Sequence, residues 1–220
     1  MMIKMPDWEK ERLQYPALQN QTYLMTAAAG PLSQAVYESY QRHFKELYEN
    51  GDIHWLLNLD SIETSRRGAM SFIGAHCESE VAFTGNTSLT MNLFAMSFKS
   101  LLHSQNRELS VLTCKEEFPS TSLPWIHHGY KIHQVEARNL ADALRERNPS
   151  IVLTSTVQYG TGFRQNLNQL GELCQQKSYF IVNATQSLGA FPLDVKKSRV
   201  TALSASCHKW MGCGFGICLL

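Results

Sequence analysis

The apolar pattern changes character part-way along the chain. Residues 33–49 carry Val36, Tyr40, Phe44 and Leu47 at spacings of four, four and three, which is one face of an amphipathic helix. Residues 60–74 read as a second helix. Ahead of both, residues 23–32 read as an extended segment closed by a Gly30-Pro31 turn. The first twenty residues are mixed and predict an arm or a short helix. From about residue 80, short apolar runs alternate with helical stretches. Strands are predicted at 81–84, 111–114, 131–135, 151–155, 180–183, 202–206 and 215–220, and helices at 88–101, 139–147 and 166–177, with a shorter one at 121–128. Such alternation predicts an α/β domain around a mostly parallel sheet. Ligands of such sheets sit beyond the carboxyl ends of the strands, so the residues after each strand are the ones to read for chemistry.

Composition narrows the function classes. Twenty Lys and Arg against nineteen Asp and Glu leave a formal charge of +1, without the basic excess of a nucleic-acid or anionic-membrane binder. Hydrophobic residues are 44% of 220, enough for a sizeable core. No apolar run approaches the roughly 20 residues of a membrane span. Lys4, Asp7, Glu9, Lys10, Glu11 and Arg12 crowd the start, unlike a secretory signal, so the expected compartment is the cytoplasm. Six cysteines are then expected as free thiols. No C-x-x-C pair occurs, and His76-Cys77 and Cys207-His208 lack zinc-site spacing, so no metal is expected.

The segments after the strands hold the candidate chemistry. Gly85-Asn86-Thr87-Ser88 opens an apolar helix, either as an ordinary N-cap or as an anion site of free backbone N–H groups and hydroxyls. Phe118 follows the second strand, as core or as a platform for a flat ring. A tight Gly160-Thr161-Gly162 loop follows the fourth, and the polar run Asn183-Ala184-Thr185-Gln186-Ser187 the fifth. Ser206-Cys207-His208-Lys209-Trp210 follows the sixth. Lys209 is either a surface lysine at a strand end or a partly buried amine with a depressed pKa, nucleophilic toward aldehydes.

Taken together, these segments resemble the aminotransferase class V branch of fold-type I enzymes that use pyridoxal 5'-phosphate (PLP). That branch includes aminotransferases, cysteine desulfurases, kynureninases and isopenicillin-N-epimerase-like proteins. The resemblance runs from about Tyr23 to Leu220. It is sharpest in Asn183-Ala184-Thr185-Gln186-Ser187-Leu188-Gly189-Ala190-Phe191-Pro192-Leu193-Asp194-Val195, His208-Lys209-Trp210 and Gly214-Phe215-Gly216. It implies a three-layer α/β/α large domain with a seven-stranded, mostly parallel sheet over residues 61–220. Residues 1–60 would form an N-terminal arm and helical segment. Lys209 would be the catalytic lysine, joined to PLP as a Schiff base. Thr87, Ser88, Ser206 and His208 would surround the phosphate, Gln186 would reach the phenolic oxygen, and Phe118 would stack on the ring. Ala28 and Ala29 would line the substrate side. A small amino acid as substrate and a homodimer are implied as well.

Two departures from the family pattern bear on activity. Asn183 stands where relatives usually place an aspartate against the pyridine nitrogen. An amide carries no charge there, and a charge-assisted hydrogen bond is about twice as strong as a neutral one. The chain also stops where relatives continue into a small C-terminal domain. The expected function is a PLP-dependent conversion of an amino acid, aminotransferase-like or epimerase-like. A catalytically impaired remnant that keeps the fold is the alternative, and a desulfurase-like or kynureninase-like lyase a further one. Desulfurases usually have a histidine at the stacking position, and Phe118 cannot carry a proton.

Overall fold

The computed structural model describes residues 6–175 and 177–220. Residues 1–5 of the predicted arm, and residue 176 within the predicted 166–177 helix, lie outside the described residues. The arm begins with a short helix, α1 (Trp8–Leu13), whose first turn is capped by the Asp7 carboxylate accepting from Lys10 N–H. The extended segment then leads to α2 (Gln34–Asn50), capped by Ser33 and stopped at Gly51, where φ is 63°. The next helix, α3 (Trp55–Ile73), starts five residues before the predicted position 60 and ends at a left-handed Gly74. Its added first turn, Trp55 to Leu59, carries four apolar side chains that lie mostly in solvent.

Seven strands form one sheet: β1 (Phe83–Thr84), β2 (Ser110–Cys114), β3 (Lys131–Val135), β4 (Ile151–Ser155), β5 (Tyr179–Asn183), β6 (Ala202–Ser206) and β7 (Cys218–Leu219). Their spatial order is β1-β7-β6-β5-β4-β2-β3. Neighbours from β3 through β6 pair in parallel, while β7 runs antiparallel to both β6 and β1. Four helices connect them: α4 (Thr87–Ser104), α5 (Pro119–His127), α6 (Leu140–Glu146) and α7 (Leu167–Cys174).

Side chains alternate across the sheet and divide the core in two. Val111, Ile151, Leu153 and Ile181 meet Met91, Ala95 and Leu102 of α4 and Trp125 of α5. Leu112, Val152, Phe180, Val182 and Leu203 meet Leu140 and Leu144 of α6 and Leu170 and Cys174 of α7. This is the three-layer α/β/α arrangement that the sequence predicts. The split follows from strand order. The chain moves outward from β2 to β3, then crosses back past β2 to β4 and on to β5. Right-handed crossovers in opposite directions place their helices on opposite faces. Cys114, Ser155, Asn183 and Ser206 therefore end parallel strands at the same edge of the sheet.

Candidate active site

A cavity of about 690 Å³ opens at that edge. At one end lies the first turn of α4. Asn86 caps it, its Oδ1 accepting from Leu89 N–H at 2.9 Å. The Thr87 N–H donates to Ser206 Oγ at 3.1 Å. The hydroxyls of Thr87 and Ser206 lie 2.8 Å apart, those of Thr87 and Thr185 3.2 Å apart, and Thr185 Oγ1 accepts from Ser206 N–H at 3.0 Å. Ser88 is the second residue of the helix, where a backbone N–H has no acceptor within the helix. Hydroxyls clustered at the positive end of an eighteen-residue helix make a seat for an anion.

The floor is Asn183, at the end of β5. Its Nδ2 donates to Thr121 Oγ1 at 2.7 Å and its Oδ1 accepts from Thr185 N–H at 3.0 Å. Phe118, 43% exposed, forms one wall and meets Tyr159 edge to face at 5.0 Å. Behind Phe118, the buried Glu117 carboxylate accepts from Ser155 N–H (2.6 Å), Ser155 Oγ (2.5 Å), Gln158 Nε2 (2.7 Å) and Thr154 Oγ1 (3.3 Å). Burial raises the pKa of Glu117, and these donors oppose the shift. The network ties the end of β2 to the end of β4 and fixes where Phe118 emerges.

Lys209 closes the cavity from the loop between β6 and β7, its Nζ 5.7 Å from the centre of the Phe118 ring. Partial burial lowers its pKa from the ordinary 10.5, because desolvation disfavours the ammonium form. The pKa of His208 is also lowered, first by burial and then by the Lys209 charge, and its ring stacks on Phe215 at 4.7 Å. The loop is clamped from the N-terminal side. Gly30 N–H donates to His208 O at 2.8 Å, and a Cβ on Gly30 would stand 2.0 Å from Lys209 O, so only glycine fits there. Gln186 links both sides, donating from Nε2 to Ala27 O (3.0 Å) and accepting from Trp210 Nε1 (3.1 Å).

A family model described as Aminotransferase class-V matches residues 22–220. The chain belongs to this family. Similar proteins include a probable cysteine desulfurase of Pyrococcus abyssi, 28% identical over 218 residues, which takes in 91% of this chain and 53% of that one. An uncharacterized aminotransferase YcbU of Bacillus subtilis is 28% identical over 92% of this chain and 55% of its own. Among solved structures, the apo cysteine desulfurase of Thermococcus onnurineus NA1 superposes with a TM-score of 0.81 at 26% identity, over 99% of this chain and 57% of that one. The chain thus spans little more than half the length of these relatives. PLP is the cofactor of the class-V family.

Among the residues that the class-V resemblance singles out, Thr87, Ser88, Phe118, Asn183, Gln186, Ser206, His208, Lys209 and Ala28 all line the one cavity. Ala29 does not. Its carbonyl accepts the Tyr23 hydroxyl at 2.6 Å, and Ala27 and Met25 take the lining positions instead. Thr185 and Tyr159 line the cavity without having been singled out. Thr185 carried a signal, since it sits between Asn183 and Gln186 in the polar run. Glu117 carried none, because a glutamate after a strand reads as surface. The six cysteines are all free. No described helix is long and apolar enough to cross a membrane.

Proposed function

We propose that this chain is the cofactor-binding part of an enzyme that converts a small amino acid with PLP. One observation carries the reading: Lys209, the Thr87/Thr185/Ser206 hydroxyls, Asn183, Gln186 and Phe118 converge on a single cavity at the strand ends. The anion seat at α4 suits the phosphate, with Thr87, Ser88 and Ser206 holding it and His208 beside them. Phe118 offers a ring face to the pyridine. Asn183 would hold the ring nitrogen and Gln186 the phenolic oxygen, both residues lining the cavity. The Lys209 amine, its pKa depressed by partial burial, would be the group that holds the aldehyde of PLP. When bound, PLP supplies an electron sink for the substrate's α-carbon. At the cavity wall, Lys209 Nζ would take and return a proton at the substrate's α-carbon.

Residues 61–220 form the large domain in this reading, and residues 1–60 an arm and helical segment that brings Ala28 to the substrate side. Exposed apolar side chains on α2 and α3, such as Phe44, Tyr48, Leu56 and Leu57, support a homodimer. Six free thiols suit the cytoplasm. Phe118 favours an aminotransferase-like or epimerase-like reaction, since it cannot carry a proton. The names of the relatives favour the second reading, cleavage of the cysteine C–S bond.

The test is capture of the cofactor. The chain is mixed with PLP, reduced with borohydride and mapped by mass spectrometry. A pyridoxyl adduct on Lys209, absent from Lys209→Ala, is the expected result. A folded chain without that adduct would sink the reading and leave a remnant that keeps the fold alone. With the adduct in hand, sulfide release from cysteine separates the second reading from keto-acid formation or racemisation.

A further inference from the structure

A second cavity, of about 510 Å³, lies behind the first. Ser155, Val157 and Gln186 line the cavity of Lys209, whereas their chain neighbours Thr156 and Ser187 line this one. The two sit back to back across the ends of β4 and β5. Buried hydroxyls form part of the partition. Thr156 Oγ1 and Ser187 Oγ are 2.5 Å apart, and Thr156 N–H donates to Asn183 O at 2.9 Å. Leu167, Leu193 and Phe191 give the second cavity apolar walls, and Arg164, Lys197 and Asp194 are its charged groups. Arg164 is positioned without using its side-chain N–H groups. Its backbone bridges Val157, and its guanidinium carbon lies 4.2 Å from the centre of the Phe191 ring. Lys197 stands on the turn at 195–199, which is pressed against α7. A Cβ on Gly171 of that helix would stand 2.0 Å from Ser198 O, and Ser198 Oγ donates to Asn168 Oδ1 at 2.9 Å. Asp194 caps the turn, its Oδ1 accepting from Lys197 N–H at 2.9 Å. Among the described residues, neither Arg164 nor Lys197 has an ion-pair partner. Two cations against one carboxylate leave the lining with a surplus of one positive charge.

We infer that this cavity is a second binding site, for a small monocarboxylate with an apolar body. The guanidinium fork of Arg164 suits a carboxylate, which it can meet with two N–H groups at once, and Lys197 adds a second cation. The apolar body lies against Leu167 and Leu193. One negative charge balances the surplus of the lining, whereas a phosphate dianion would overshoot it and face Asp194. The volume falls within the range of small-molecule sites. Plain carboxylic acids and amino acids share this chemistry. Only an amino acid adds an ammonium group, and Asp194 is the acidic side chain on hand for it. The inference goes beyond the function proposed above and does not rest on it, since no residue of the Lys209 cavity takes part.

The full chain is titrated with para-fluorophenylacetate and followed by fluorine NMR. Saturable binding is expected, weakened about tenfold by Arg164→Gln and by Lys197→Glu, since a hydrogen bond to a charged group is lost in each. Both side chains are exposed, so the variants should keep the circular dichroism of the parent. Added salt should weaken binding, and Lys209→Ala should leave it unchanged. The uncharged para-fluorobenzyl alcohol should bind about tenfold more weakly than the acid, or worse. para-Fluorophenylalanine separates the two sources. Affinity at least equal to that of the acid, lowered by Asp194→Asn, supports an amino-acid site, and weaker binding supports a site for plain acids. Absence of saturable binding, or equal affinity in the folded Arg164→Gln and Lys197→Glu variants, would overturn the proposal. So would loss of binding in Lys209→Ala, which would put the probe in the other cavity. Because the probe needs no PLP, failure of cofactor capture leaves this site standing, and failure of the titration leaves the cofactor reading untouched.

Discussion

In the function proposed above, activity turns on Asn183. Its amide is already satisfied by Thr121 and Thr185, so it sits in the cavity floor without strain and without charge. Asn183→Asp places a carboxylate among the same partners, since the Thr121 hydroxyl can turn to donate. A carboxylate supports a protonated ring nitrogen, and about 1.5–3 kcal/mol of added stabilisation in the rate-limiting step corresponds to roughly a ten- to hundredfold rise in turnover. Steady-state kinetics with an amino-acid substrate that PLP spectroscopy shows to bind would check this, and an unchanged or slower variant would refute it. Lys209 makes a second prediction. A base whose folded pKa is depressed reaches its neutral form at lower pH than a free lysine. The rate of aldehyde capture by Lys209, followed by the visible absorbance of bound PLP, should rise to its plateau with a midpoint below 10.5. The sign extends to stability: the unfolded chain binds the extra proton between the two pKa values, so folding gains as pH rises through that window. Lys209→Met should flatten that part of the stability–pH curve.

Among the elements, the strands were more legible than what joins them. Strands β2 and β4 are buried at every position, and such unbroken runs as Ile151-Val152-Leu153 announce themselves in sequence. Strand β1 at the sheet edge and strand β7 beside it have two residues each, against four and six expected, because the ladder β1-β7-β6 runs for only two residue pairs on each side of β7. The hydroxyl cluster was only half visible. Thr87 and Ser206 are 119 positions apart, and no local pattern announces a hydrogen bond over that distance. Glu117 illustrates the limit. Its role is to hold the ends of β2 and β4 together, which no residue near it in sequence betrays. Glu117→Ala would leave Ser155 N–H and Gln158 Nε2 without their buried acceptor, at about 1–3 kcal/mol for each unsatisfied group. Chemical denaturation should show a loss of roughly 2–6 kcal/mol by that same count, together with weaker PLP binding as Phe118 loses its footing.

At the scale of the whole molecule, the α/β class and the location of the site at the strand ends were both readable from alternation, while the order of strands was not. Nothing local tells β7 to insert between β6 and β1. Leu219 is fully buried there, opposite Phe83 on one side and Ala205 on the other. Leu219→Ala should cost about 2–5 kcal/mol through the cavity it leaves. It should also speed amide exchange in residues 83–88, since β1 and the first turn of α4 lose their anchor. Equal exchange in that segment, with stability lost elsewhere, would show that α4 is held by its own packing instead.

That late pairing governs the order in which the molecule can assemble. β1 waits for a partner made much later in the chain, Phe83 pairing with Leu219 and Thr84 with Cys218, and every crossover helix must be laid down first. Contacts of such long range close slowly, because loop entropy is lost before they are rewarded. A growing chain can therefore bury β2, β4 and β5 early, yet the anion seat at α4 and the loop of Lys209 come together only in the final step. An intermediate stalled before that step would carry most of its core but lack Leu219, and its site would be unassembled.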